Sequence, residues 1–247
     1  IVNQSLDNYL INDLKLPGYG LIMYINEPSV IVCVNQNVFA EVNVPYLAEN
    51  NITLVRRTSG GGSVYHDMGN LIFENIVVGD TDDDAEWGNY AVFAQPILDA
   101  LHELGATDAQ LRGNSDLVVN DHKFTGMTMV KSGDAYAAGG TLMFDMDLAA
   151  ASQALKPVET HINGKWVKSN RSDIENIKTH LAPKYQQLTS EQFKTQLLLK
   201  LFHVERLEDI ETYHLTDQDW QIIDERLAEQ YQTDDWNFGA NPGFNRC

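Results

Sequence analysis

Apolar residues recur at Leu6, Tyr9, Leu10, Ile11 and Leu14, the spacing of one helix face, and Pro17-Gly18 closes the run; a first helix is predicted over 5–15. Two short apolar runs, Leu21–Ile25 and Val30–Val34, read as strands joined by a turn at Asn26-Glu27-Pro28. Val44–Glu49 has the length of a short helix, and the β-branched run Ile52-Thr53-Leu54-Val55 reads as the next strand. Leu71–Val78 is another. Asp82-Asp83-Asp84 then offers acidic caps for a helix over Ala85–Leu104, stopped by Gly105 and kinked at Pro96. Leu117–Val119, Lys123–Val130 and Thr141–Asp145 read as strands, with turns at Asn120-Asp121 and Ser132-Gly133-Asp134. Amphipathic spacing over Glu191–Phe202 and Gln218–Tyr231 makes the last third mostly helical. Strands gathered in the first 145 residues, with helices before, between and after them, predict an α+β (mixed α/β) fold.

Composition narrows the possibilities. The chain has 247 residues, 43% hydrophobic and 21% charged, an ordinary globular balance with no repeat or long linker. No apolar run approaches the roughly 18 residues that a spanning helix needs. Ile1-Val2-Asn3-Gln4-Ser5 has neither a signal-peptide pattern nor a Met, so the first residues are expected to have been lost. Two cysteines, Cys33 and Cys247, exclude a disulfide framework and fit a cytoplasmic setting. The net charge of −18 argues against a nucleic-acid binder. Any anionic ligand must then be held by a local cluster of cations, and Arg56, Arg57, Lys123 and Lys131 fall within or near the glycine-rich segments.

The first of those segments is Arg56-Arg57-Thr58-Ser59-Gly60-Gly61-Gly62-Ser63-Val64-Tyr65-His66-Asp67-Met68-Gly69-Asn70. Consecutive glycines let the backbone approach a ligand, their N–H groups can converge on an anion, and the arginines add forked donors. It is not a P-loop, since no Gly-Lys-Ser/Thr follows. The plainer alternative is a glycine-rich hairpin with solvated arginines. The second segment runs from Asn114 to Gly126, where Lys123 follows a tight turn and Thr125-Gly126 leave room for a ligand. An unpaired lysine there would neutralise a phosphate or carboxylate; the alternative is a lysine protecting a sheet edge.

Together these segments resemble the lipoate-protein ligase family. The family pattern Arg-Arg-x-Ser-Gly-Gly-Gly-Ala-Val-Tyr/Phe-His-Asp stands here as Arg56–Asp67, its Lys-x-Ser/Thr-Gly strand as Lys123–Gly126, its Gly-Thr-Leu strand as Gly140–Asp145, and a fourth motif as Trp236-Asn237-Phe238-Gly239. The likeness spans about Leu6 to Phe244. It implies a single catalytic domain over 1–247 with the fold shared by biotin- and lipoate-protein ligases, a mixed sheet flanked by helices. It implies ATP, Mg²⁺ and lipoate as ligands, and a two-step reaction: lipoyl-AMP forms with release of pyrophosphate, then the lipoyl group passes to a lysine. The implied acceptors are lipoyl domains of 2-oxo-acid dehydrogenase complexes or the glycine-cleavage H protein. Many relatives carry a C-terminal accessory domain after the Trp-Asn-Phe/Tyr-Gly motif. The sequence stops at Cys247, eight residues beyond Gly239, so the domain is expected to be a separate protein, or trimmed away, or lacking in a short paralogue; neither nucleic acid nor membrane is an implied partner.

Carried over residue by residue, Lys123 is implied to touch both the acyl carboxylate and the α-phosphate. Arg57, Ser59, Gly60, Gly61, Gly62, Ser63, Val64, Tyr65, Thr125, Gly126, Gly140 and Thr141 are implied to line the adenylate site, and Asp116 to hold Mg²⁺. Departures from the family pattern lie at Cys33-Val34, Gly113-Asn114-Ser115-Asp116, Gly139-Gly140-Thr141 and Lys168-Ser169-Asn170, where Arg or His is usual. Two other functions remain open: an ATP-independent octanoyl or lipoyl transferase using Cys33 as nucleophile, and a non-catalytic paralogue that binds lipoate or lipoyl domains. A buried structural Cys33 is favoured by its apolar strand. His66-Asp67 could be a base pair or could shape the glycine loop, and Met127-Thr128-Met129 could wall an acyl chain or pack the core. A basic patch around Lys165, Lys168 and Arg171 would suit an acidic acceptor domain.

Overall fold

The computed structural model describes residues 1–79, 87–158 and 165–239. The proposed caps Asp82–Asp84, the predicted helix start at 85, Phe244 and Cys247 lie outside the described residues. Helix α1 (Val2–Tyr9) continues as a π turn over Leu10–Leu14 and leads into β1 (Gly18–Tyr24). Then come β2 (Ser29–Val32), α2 (Val38–Glu41), α3 (Val44–Glu49), β3 (Thr53–Arg56), β4 (Val64–His66) and β5 (Asn70–Val78). Helix α4 (Tyr90–Glu103) carries Pro96 within it. Four strands follow: β6 (Gln110–Arg112), β7 (Asp116–Val119), β8 (His122–Ser132) and β9 (Ala135–Met143). Helices α5 (Leu148–Ala154), α6 (Ser190–Leu201) and α7 (Asp217–Arg226) complete the set, the last running into a π turn over Leu227–Tyr231.

The strands form two sheets, one of six strands in the order β1-β5-β9-β8-β7-β6 and one of three in the order β3-β2-β4. Every pair in the large sheet is antiparallel, whereas β2 runs parallel to β3 and antiparallel to β4. This is the expected α+β class. The predicted turn at Asn26–Pro28 does not close a hairpin: β1 pairs with β5 in one sheet and β2 enters the other. The β7–β8 turn does, with Asn120 and Asp121 both at positive φ (48° and 64°), the backbone that a two-residue hairpin requires.

The strand expected over 141–145 is longer at its start. Strand β9 begins at Ala135, and its Ala-Tyr-Ala-Ala-Gly-Gly stretch has little β propensity of its own. It is a central strand because the small residues are needed there: a Cβ on Gly139 would sit 2.3 Å from the Phe73 carbonyl, and one on Gly140 2.5 Å from that of Gly126. Pairing with β5 and β8 on both sides overrides local preference.

One face of the large sheet is covered by α4 and α6 in a core that includes Phe73, Leu117, Leu142 and Phe144. Phe144 stacks on Phe193 of α6 with ring centroids 4.2 Å apart. On the opposite face, Ile11 closes on Ile76, Val78, Ala135 and Ala137, and between that cluster and the small sheet a cavity opens.

Candidate active site

The paired Arg56 and Arg57 divide two tasks. Arg56 is fully buried, and its guanidinium donates to the carbonyls of Cys33 (2.8 Å), Gln36 (2.8 Å), Trp236 (3.1 Å) and Asn237 (3.3 Å). It is a structural clamp rather than an anion binder. The C-terminal motif completes the clamp: Trp236 Nε1 donates to the Arg56 carbonyl at 2.8 Å, and Asn237 Oδ1 accepts from the Arg56 N–H at 2.8 Å.

Arg57 shapes the glycine loop. Its Nη2 donates to the carbonyls of Gly60 (2.6 Å) and Gly62 (2.8 Å), and a Cβ on Gly61 would lie 2.9 Å from that nitrogen. Gly61 also has φ +101°, a conformation glycine adopts freely. Burial lowers the Arg57 pKa to about 10, still charged at neutral pH. The loop is not a hairpin, since β2 lies between β3 and β4 and the segment crosses over its end.

Ser63 leaves that loop into a network that the sequence did not announce. Its N–H donates to Ser169 Oγ (2.9 Å) and its hydroxyl to Gln36 Oε1 (2.8 Å), while Gln36 Nε2 donates to Ser169 Oγ (2.9 Å). Glu41 Oε2 accepts from the Ser169 N–H at 3.2 Å. Ser169, between the departures at Lys168 and Asn170, thus places its hydroxyl on the glycine loop, where a Cβ on Gly62 would lie 3.1 Å from it.

Lys123 does not stand unpaired. Its ammonium is 2.7 Å from Asp116 Oδ1, and Arg112 lies 3.7 Å from the other oxygen. The β7–β8 ladder slips between Leu117 and Val118, which pair with Thr125 and Lys123, so a bulge at Phe124 re-aims the lysine. Its side chain lies over Gly126, where an added Cβ would meet Nζ at 2.7 Å. Backbone bonds to Asp173 (2.8 Å) and from Glu175 (3.0 Å) fix this end of β8. His122 turns away, bonded to the Asn120 carbonyl.

Two cavities meet beside this lysine. One, of about 270 Å³, lies between the sheets and takes in Arg57, Ser59, Val64, Gly126, Gly140 and Thr141. The other, of about 330 Å³, takes in Ser63, Val64, Tyr65, Lys123, Gly126 and Thr141. Val64, Gly126 and Thr141 line both and mark the junction. Of the remaining expected site residues, Gly60, Gly61 and Gly62 form the loop behind Arg57, and Asp116 sits behind Lys123 without lining either cavity. Thr125 is fully buried with its hydroxyl unpartnered among the described residues, so its side chain serves the interior.

His66 and Asp67 do not form a base pair. Burial, with help from the Arg57 charge, lowers the His66 pKa to about 3, which keeps the ring neutral. Its Nδ1 pairs with Asn26 Nδ2 (3.0 Å), an arrangement that assigns the proton to Nε2, facing Thr141 Oγ1 at 2.8 Å. Asp67 instead accepts from the N–H groups of Gly69 and Asp147. Cys33 is buried and lines neither cavity. Among the described residues no group of three or more His, Cys, Asp or Glu side chains could hold a metal ion by itself, and no helix is long and apolar enough to cross a membrane.

The far wall of the inter-sheet cavity holds a second cluster missed from the sequence. Tyr24 Oη donates to Asp7 Oδ2 at 2.9 Å, Gln4 Nε2 donates to the same oxygen at 3.2 Å, and the Asp7 carboxyl is hydrogen-bonded to that of Glu74. Burial raises both acids, Glu74 to about 7. An acid inside the apolar run of β5 was the signal available.

With this geometry in place, the comparisons define the class. The chain belongs to the lipoyl protein ligase A/B catalytic domain family, whose model matches residues 1–202. Its relatives are enzymes named as lipoate–protein ligases: LplJ of Bacillus subtilis is 38% identical over 244 residues, covering 99% of this chain and 72% of that protein. Among solved structures, lipoate-protein ligase A bound with ATP superposes with a TM-score of 0.75 at 22% identity, over 97% of this chain and 94% of the other. A bi-partite lipoate protein ligase of Thermoplasma acidophilum, studied with its E2 lipoyl domain, gives 0.76 at 19% identity over 100% and 93%. At those identities the likeness is one of fold, and it matches the expected ligase architecture.

Proposed function

We propose that this lipoate-protein ligase uses ATP to convert lipoate to lipoyl-AMP, and then transfers the lipoyl group to a lysine of a lipoyl domain or of the glycine-cleavage H protein. The observation that carries the reading is the meeting of two cavities at Gly126 and Thr141 beside the Lys123 ammonium. The inter-sheet cavity takes the acyl chain, the outer cavity takes the nucleotide, and the cation stands where carboxylate and α-phosphate must meet. Bringing two anions into contact is the main electrostatic cost of the step, and a preorganised cation offsets it. The carboxylate oxygen bonds to the α-phosphorus as the α–β phosphoanhydride breaks and pyrophosphate leaves. The acceptor amine then attacks the acyl carbon and AMP departs. Lys123 acts by charge and position, not as a nucleophile.

Asp116, with its oxygens facing Lys123 and Arg112 and lining neither cavity, positions the lysine rather than a metal, so Mg²⁺ would be held by nucleotide phosphates and water. When bound, the ion would supply further positive charge to the phosphates. The names of the relatives support lipoate as the acid, and the ATP-bound ligase of the same fold supports the nucleotide. The exposed Lys165, Lys168 and Arg171 lie on the strand of chain that borders the outer cavity, in keeping with an acidic lipoyl domain as acceptor.

The test is mass spectrometry of a lipoyl domain incubated with the chain, lipoate, ATP and Mg²⁺. One lipoyl group is expected on the domain, and none when ATP is withheld. Transfer without ATP from an octanoyl carrier would overturn the ligase reading in favour of a transferase.

A further inference from the structure

We infer that Glu74, in the inter-sheet cavity, favours an acid whose tail ends in a hydrogen-bond donor, a hydroxyl or thiol, over one with a plain hydrocarbon tail. The inference rests on the acyl cavity assigned above and concerns the part of it farthest from ATP.

Cross-strand register gives the depth. Ile72, Thr141 and Gly126 form one row across β5, β9 and β8, at the junction where the carboxylate would lie. Glu74, Gly139 and Thr128 form the next row, about 7 Å farther along the strands at two residues per row. Gly139 faces Glu74 closely, since a Cβ there would lie 3.0 Å from that of Glu74. The row beyond, Ile76, Ala137 and Val130, is apolar and packed with Ile11. The Asp7–Glu74 pair therefore sits one row deeper than the junction, in a cavity that Arg57, His66 and Thr128 also line.

Donor counting decides what that patch needs. Asp7 Oδ2 already accepts from Tyr24 and Gln4. Asp7 Oδ1 is buried with no nitrogen or hydroxyl partner, which leaves it to the Glu74 carboxyl, and two carboxyl groups in such contact share one proton. Among the described residues the Glu74 carboxyl is hydrogen-bonded to no side chain but Asp7, with Arg57 as the nearby charge. Glu74 lines the cavity, so it presents an acceptor with capacity to spare. A methyl terminus pressed against it removes water and returns no hydrogen bond, whereas a hydroxyl or thiol returns one.

Octanoate and 8-hydroxyoctanoate share chain length and head group and differ only at the tail. Calorimetric titration of the unmodified protein should show the hydroxy acid binding at least tenfold more tightly. Glu74→Met should abolish or reverse that preference, and Glu74→Gln, which keeps a carbonyl acceptor, should retain part of it. Equal or tighter binding of octanoate by the unmodified protein overturns the inference, whatever the variants do. Pyrophosphate release with lipoate separates the two levels. If it occurs while the acids show no preference, only the tail selection falls; if no acid binds and none yields pyrophosphate, the acyl assignment falls with it.

Discussion

Lys123 is held by what its neighbours lack as much as by what they offer. Asp116 fixes the ammonium at 2.7 Å, and the bare Cα of Gly126 lets the stem lie flat across β8. Gly126→Ala should therefore leave the fold intact, because the obstructing atoms are the flexible end of a lysine, yet lower kcat for pyrophosphate release by tenfold or more. Gly139→Ala is the contrasting case: its Cβ would meet the Phe73 carbonyl at 2.3 Å, and overpacking against backbone costs about 1–3 kcal/mol. Urea unfolding of both variants, beside their rates, checks the distinction. Lys123, Gly126 and the arginine–glycine run were legible because each carries a rare residue type at a fixed spacing. Asp7 and Glu74 were not, since nothing local says that a helix residue and a strand residue will share a proton, and Ser169 entered the glycine loop from a segment without periodicity.

At the scale of elements, the glycine loop acquires its form from β2, which separates the two strands the loop connects. Arg56 ties three pieces together at that point: the end of β3, the chain at 33–36 and the Trp236-Asn237 turn. Arg56→Lys keeps the charge but cannot reach four carbonyls spread around a planar fork. It should cost at least about 2 kcal/mol in urea unfolding, the penalty for buried acceptors left unpaired. Stability equal to the parent would contradict the clamp. Most strands and the helices α4, α6 and α7 could be read from periodicity within a few residues. The first half of β9 could not, because Ala and Gly there answer to close backbone contacts across the sheet rather than to strand propensity, and α5 was missed altogether.

Across the whole molecule, two sheets enclose a cleft whose buried titratable groups oppose one another as pH changes. Glu74 is raised from 4.5 to about 7, so its contribution to stability is complete below pH 4.5 and is lost as pH rises through 7. His66 is lowered from 6.5 to about 3, so its contribution is complete above pH 6.5 and is lost as pH falls through 3. Glu74→Gln removes the first effect alone: its Tm should exceed the parent's at pH 8.5, with the gap closing by pH 5. A gap that is constant with pH would contradict the buried, proton-sharing pair. The charge of −18 places no such cleft, and only the motifs located it. What the fold adds is that the inter-sheet cavity and the outer cavity meet beside one lysine. Pyrophosphate release from lipoate, ATP and Mg²⁺ with no acceptor present tests that convergence most directly. The parent protein should release pyrophosphate in proportion to lipoate, and Lys123→Ala should lose at least a hundredfold in rate while remaining folded; release undiminished in Lys123→Ala would contradict the account.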